Sequence, residues 1–277
     1  MRYMRMIWLL VMLSGLMACT QLVFQPQKQH AFDIKKTDVV YENIALLAED
    51  GTQLHGWWLP HTNSEFKAVI VFLHGNAGNV TYHLGNALWL TRHGFDVLLF
   101  DYRGFGFSQG QADLSGVMKD ISAAIHYSFE RNNKQKVIVA GQSLGASIGM
   151  YAVAQAANKD KVSAFLAISG FSDYQQIARD VLSNWWLTWL FQWPLSLTIE
   201  SEYRPLDFVA GISPVPLLIM HSKHDEIIPY YHAKALYAAA NKPKQFVELK
   251  GSHNNAFMIK ENRLQLIEYL DKLTISE

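Results

Sequence analysis

Gly141, Gln142, Ser143, Leu144 and Gly145 set one serine between two glycines, directly after the apolar run 136–140 and before a stretch of small residues with helical character. A Gly-x-Ser-x-Gly turn between a strand and a helix lifts a single hydroxyl clear of the backbone, where it can attack a carbonyl. The glycines have a steric job: two positions either side of the serine lie against the neighbouring strand and helix, where a Cβ would clash. A serine hydroxyl is a weak nucleophile at neutral pH. It needs a base within hydrogen-bond reach, an acid to orient that base, and donors for the oxyanion that forms.

Each of these has a candidate at the end of an apolar run. For the base, His253 stands in Gly251-Ser252-His253-Asn254-Asn255, after the last such run and before the final helical stretch. For the acid, Asp225 follows the run 215–220 and precedes Pro229, which can open the next helix. A carboxylate there would fix the imidazole in one tautomer and stabilise it once charged. Asp101, Asp207 and Glu226 compete for this role, but Asp101 precedes the serine and reads as a structural partner for Arg103. For the oxyanion, the loop His74-Gly75-Asn76-Ala77-Gly78-Asn79 follows the run 67–73 and would offer the Asn76 N–H beside that of Leu144.

These residues need a scaffold that brings distant stretches to one rim. A hairpin is expected from the runs 39–48 and 52–59, joined by Glu49, Asp50 and Gly51. Six short apolar runs follow (67–73, 95–101, 136–141, 162–169, 215–220 and 245–249), each suited to a strand buried on both faces. Helical stretches separate them at 80–92, 114–131, 146–157, 230–241 and 257–273. Strands alternating with helices require parallel pairing and right-handed crossovers, so the fold class is α/β, with a mostly parallel central sheet covered on both faces. Residues 171–205 are too long for a connection and too apolar for a loop, and are expected to form a helical cap after the sixth strand. That cap holds Trp185, Trp186, Trp189 and Trp193. On a helix, Trp185, Trp189 and Trp193 would share a face, either packing the cap down or walling a pocket over Ser143 to which Trp185, Trp186 and Trp189 contribute. An aromatic rim touching a bilayer is the third possibility.

Half of the 277 residues are hydrophobic and 17% are charged, with 24 basic against 24 acidic groups. No basic stretch exists to track a nucleic acid. The glycines at 104, 106 and 110 miss the dinucleotide-binding spacing, and no Gly-Lys-Ser/Thr phosphate loop is present. His221 and His224 lack the helical spacing of a zinc motif and read as scaffold. The chemistry requires neither metal nor organic cofactor.

At the N-terminus, Arg2 and Arg5 precede the apolar stretch 6–13, then Ser14 and Gly15, the layout of a secretory signal too short to favour a spanning helix. Leu16-Met17-Ala18-Cys19 resembles the bacterial lipobox, which implies cleavage after residue 18 and a diacylglycerol on Cys19, the chain's one cysteine. Thr20 in place of an aspartate leans that resemblance towards the periplasmic face of an outer membrane, for a Gram-negative source. Residues 19–36 then read as a polar tether and 37–277 as the folded domain.

His74 to Asn79, Asp101 to Gly104 with Gly106 and Ser108, Gly141 to Gly145, Asp225 with Pro229, and Gly251 to Asn254 together resemble the α/β-hydrolase superfamily. Within it the sequence is similar to the Bem46-like group, whose oxyanion loop reads His-Gly-Asn-Ala-Gly-Asn and whose fourth strand leads into Asp-Tyr-Arg-Gly. The resemblance implies the triad Ser143, Asp225, His253 and a serine hydrolase acting on a small acyl ester or thioester. Two rival readings remain open: a peptidase of the same fold, which would anchor a substrate amine on Glu200 or Glu202, and a non-catalytic envelope lipoprotein binding lipid or protein.

Overall fold

β-Branched and aliphatic runs too short to cross a domain as helices form the strands here, and the amphipathic stretches between them form the helices. The computed structural model describes residues 23–62, 65–183 and 186–275. The signal expected over 1–18, Cys19 and Trp185 lie outside the described residues. The chain runs through β1 (Gln25–Pro26), β2 (Glu42–Leu47), β3 (Gln53–Leu59), β4 (Ala68–Leu73), β5 (Ala77–Gly78), α1 (Val80–Leu88) and β6 (Phe95–Phe100). It continues through α2 (Leu114–Arg131), β7 (Val137–Gln142), α3 (Leu144–Ala154), α4 (Ala156–Lys159) and β8 (Val162–Ile168). The cap follows with α5 (Tyr174–Ser183), a 3-10 turn at Trp189–Phe191 and α6 (Gln192–Ser196). The remainder is α7 (Pro205–Phe208), β9 (Leu217–Ser222), α8 (Tyr231–Ala239), β10 (Lys244–Leu249) and α9 (Lys260–Ile275).

Eight strands form one sheet in the order β10-β9-β8-β7-β4-β6-β3-β2. The β2–β3 and β3–β6 pairs are antiparallel and the rest parallel. The strand period of two divides the core. On β4, Val69 and Val71 face the layer that holds Val117, Ile121 and Ala124 of α2, whereas Ile70 and Phe72 face the layer of Val80, Leu84, Leu266 and Leu270 from α1 and α9. A sheet buried on both sides fixes its register, so the carboxyl ends of β4, β7 and β9 open on one edge, where loops are free to carry side chains.

Two expectations are corrected. The stretch read as a tether is, from residue 23, part of the body: β1 pairs in parallel with β5, Phe24 and Ile34 are buried, and Asn79 Nδ2 donates to the carbonyls of Gln27 and Gln29. Two apolar anchors and a backbone that hydrogen-bonds the oxyanion loop suffice to dock an otherwise polar segment. Asp101 does not partner Arg103. The Arg103 guanidinium donates to Asp120 (2.7 Å) and Asp50 (2.9 Å) instead. Asp101, fully buried, accepts the Val80 N–H at the start of α1 (2.8 Å) and faces His30 and His55.

Candidate active site

The elbow is built as the glycine spacing requires. A Cβ on Gly141 would lie 2.5 Å from the Gly145 carbonyl oxygen, and one on Gly145 would run into the Leu73 carbonyl. Ser143 itself sits at φ 55°, ψ −118°, a conformation that costs an L-residue on the order of 1–3 kcal/mol and persists only when its surroundings hold it. Here β7 and α3 grip it from both sides, and its N–H donates to Ile168 O on β8 (2.8 Å).

The loops after β9 and β10 supply the partners. His253 Nδ1 lies 2.7 Å from Asp225 Oδ2 and its Nε2 lies 3.0 Å from Ser143 Oγ. A carboxylate can only accept, so Nδ1 carries the proton and Nε2 accepts the serine hydroxyl. The other Asp225 oxygen accepts the N–H groups of Ile227 (3.0 Å) and Ile228 (2.8 Å). Burial works against the Asp225 charge, but the hydrogen bond and charge of His253, with the Ile228 N–H, hold its carboxyl below the usual range. Glu226, a competitor for the acid role, accepts the His253 N–H (3.1 Å). Ser222 Oγ donates to Gly251 O (2.5 Å), tying the aspartate loop to the histidine loop, and nothing in its sequence context marks it for that job.

Asn76 and Leu144 flank Ser143 on the wall of one cavity of about 650 Å³. Leu144 opens α3, so its N–H belongs to the first helical turn, whose amides have no carbonyl partner within the helix. The Asn76 side chain accepts the Gln25 N–H (2.9 Å), which holds this loop against the docked N-terminal segment. Beneath it, His74 is fully buried, and burial pushes its imidazole down to about 3.

The remaining wall holds no tryptophan among the described residues. Among the described residues, the cap contributes Tyr174, Ile177, Ala178, Val181, Leu182 and Ile199 to the lining. Trp186 and Trp189 are exposed and stand outside the lining, because the segment that carries them turns away into short helices rather than continuing one long one. Glu200 and Glu202, the anchors a peptidase would want, are also exposed and outside it. A second serine–histidine–aspartate chain joins Ser172 Oγ to His232 Nδ1 (2.8 Å) and His232 Nε2 to Asp180 Oδ2 (2.9 Å). Ser172 is buried away from the cavity lining, and its N–H also points at His232 Nδ1 (3.2 Å), so this chain fastens α5 to α8. Among the described residues, His30, His55 and Asp101 are the group whose ligand atoms approach within 4.8 Å of one another, close enough to hold a metal ion, and none of them lines the cavity.

A nucleophile elbow after a central parallel strand, with histidine and aspartate on the loops after the last two strands, defines an α/β hydrolase, and the chain belongs to that superfamily; residues 68–195 match the family described as alpha/beta hydrolase fold. More particularly, it belongs with the protein YfhR of Escherichia coli O157:H7, to which it is 32% identical over 222 residues, 78% of this chain and 74% of that one. It is 25% identical over 220 residues to bem46 of Schizosaccharomyces pombe, covering 76% of this chain and 69% of that protein, which bears out the Bem46-like resemblance. The Pyrococcus furiosus esterase Pf2001 has the same fold, with a TM-score of 0.72 at 19% identity over 90% of this chain and 99% of that one.

Proposed function

We propose that this protein is a serine hydrolase that cleaves a carboxylic ester or thioester through an acyl-enzyme. The observation that carries the reading is the unbroken relay from Ser143 Oγ through His253 to Asp225, at 3.0 and 2.7 Å, opening on an apolar cavity. Ser143 attacks the acyl carbonyl as His253 Nε2 takes its proton. The N–H groups of Asn76 and Leu144 receive the oxyanion, and the imidazolium, held by Asp225, returns the proton to the leaving alcohol or thiol. Water then repeats the sequence on the acyl-serine. The apolar wall of Phe171, Ile177, Ala178 and Val181 favours an aliphatic acyl group over a charged one. A fluorophosphonate probe followed by hydrolysis of p-nitrophenyl esters and acyl thioesters tests this. Wild type should label and turn over, and Ser143→Ala should do neither; a folded wild type left unlabelled would return the protein to the binding-module reading.

On the same reading the enzyme sits on a membrane of the cell envelope, tethered through Cys19. Metabolic labelling with an alkyne fatty acid should mark the wild-type protein and not Cys19→Ser; equal labelling of both would refute the tether.

A further inference from the structure

The cap segment after α5 is built inside out. From Val181 to Ile199 the sequence holds no Asp, Glu, Lys or Arg. Among its described residues, Trp186, Leu187, Trp189, Leu190, Phe191 and Trp193 are all more than half exposed, Trp186 at 83% and Leu190 at 71%. Two of its polar side chains turn inward: Thr188 Oγ1 donates to Leu182 O (2.6 Å), and the buried Ser196 accepts from the Arg179 guanidinium (3.2 Å), which also stacks on Trp193 at 4.8 Å. The segment is therefore tied to α5 by its hydrogen-bonding side, with its apolar side facing out. Six such side chains expose on the order of 700 Å², above the ~300–600 Å² of the largest patch on an ordinary monomer.

What covers this face is indicated by where the chain begins its described course. Val23 and Gln25 line the same cavity as Val181 and Leu182, so the chain enters the described body at the wall of that cavity, four residues after Cys19 in the sequence. Met258, also exposed, belongs to the same lining. Uncharged, tryptophan-rich surface is the composition that settles at the headgroup level of a bilayer. We infer that the 186–197 face of the cap docks in the lipid interface, so that the cavity mouth opens onto the membrane and the acyl substrate is taken from the bilayer rather than from water. The docking stands on the surface and on where the chain enters the body; the source of the substrate rests on the serine-hydrolase reading above.

The two parts are tested separately on the full chain reconstituted in phosphatidylethanolamine–phosphatidylglycerol vesicles. In a Trp8→Phe, Trp185→Phe background, lipids brominated along their acyl chains should quench tryptophan fluorescence. Adding Trp186→Phe, Trp189→Phe and Trp193→Phe should abolish most of that quenching, since Trp57 and Trp58 are buried and Trp89 nearly so. No quenching in the background chain, or quenching that survives the added changes, overturns the docking. So does self-association in detergent that Leu187→Ser, Leu190→Ser and Leu197→Ser abolish, which would assign the face to a second copy. For the substrate, the same three leucine changes should leave hydrolysis of a soluble short-chain ester intact and lower hydrolysis of a long-chain ester dissolved in the vesicles about tenfold. Equal rates on both substrates, or equal loss on both, overturn the membrane source. A chain that hydrolyses neither ester and resists the fluorophosphonate would instead fail the serine-hydrolase reading, with the quenching result unaffected.

Discussion

At the scale of single residues, the sharpest demand falls on the His253 tautomer. Asp225 can only accept, which leaves His253 Nε2 bare for the serine proton. In Asp225→Asn the amide oxygen can still take the Ile227 and Ile228 N–H groups, so the loop keeps its shape, while the amide nitrogen faces Nδ1 and forces the proton onto Nε2. The expected result is an unchanged melting temperature with kcat down about 10⁴-fold; a loss under tenfold would show that Asp225 does not set the tautomer. His74 governs a different property. It is buried among His83, Tyr102 and Phe105, with its imidazole at about 3 against an ordinary 6.5. Between those values the unfolded chain binds a proton that the folded one refuses, so the stability His74 contributes is whole above pH 6.5 and is lost as pH falls below it. One pH unit below 6.5 the loss is about 1.4 kcal/mol, roughly 3 °C in melting temperature for a chain of this size. His74→Phe, which keeps a ring among these aromatic groups but cannot titrate, should flatten the melting curve against pH by that amount, and an unaltered slope would contradict the assignment. That His74 lies under the oxyanion loop was legible from its position in His-Gly-Asn-Ala-Gly-Asn. Its complete burial was not, because it depends on rings drawn from α1 and from the loop after β6.

At the scale of elements, the sequence was most legible where one residue type has one physical use. All eight strands of the main sheet stand within a few residues of the apolar runs that announce them, and the triad falls on the loops expected of it. Local pattern misled where long-range contacts decide. Residues 23–36 look like solvated linker, yet Phe24 and Ile34 anchor them and their backbone pairs with the oxyanion loop. The tryptophans at four-residue spacing suggest one helix face, but the described part of that segment is a 3-10 turn and a five-residue helix containing Pro194. The elbow glycines allow a direct test. In Gly145→Ala the new methyl would stand 2.6 Å from the Leu73 carbonyl carbon and 2.7 Å from His74 O, both backbone atoms that no rotamer change can move. Gly85, exposed on α1, has no atom within 4 Å of the same position. Chemical denaturation should show Gly145→Ala destabilised by about 3 kcal/mol and Gly85→Ala stabilised by about 0.5–1 kcal/mol. Equal effects would mean that the elbow does not need its glycine for space.

Across the whole molecule, the sheet edge supplies the chemistry and the cap supplies the shape of what can reach it. The relay sits on loops after β7, β9 and β10, while α5 closes the cavity with Ile177, Ala178, Val181 and Leu182 and is itself pinned by Asp180 to His232 of α8. On the proposed reading, substrate choice and turnover reside on different elements and should separate on mutation. Ala178 is the smallest of these α5 residues, so Ala178→Trp sets an indole into a cavity of about 650 Å³ from an element that carries none of the triad. Each acyl methylene kept out of the pocket forfeits about 0.8 kcal/mol, so shortening the pocket by three costs about 2.4 kcal/mol, or about fiftyfold in kcat/KM for the longest chains. Acetyl and propionyl esters, which do not reach that depth, should be hydrolysed at the wild-type rate. Trp189→Ala, outside the lining, should leave chain-length preference on soluble esters where it was. A p-nitrophenyl ester series run on wild type and both variants checks this, and a preference that follows Trp189 instead of Ala178 would move the acyl wall from α5 to the exposed part of the cap.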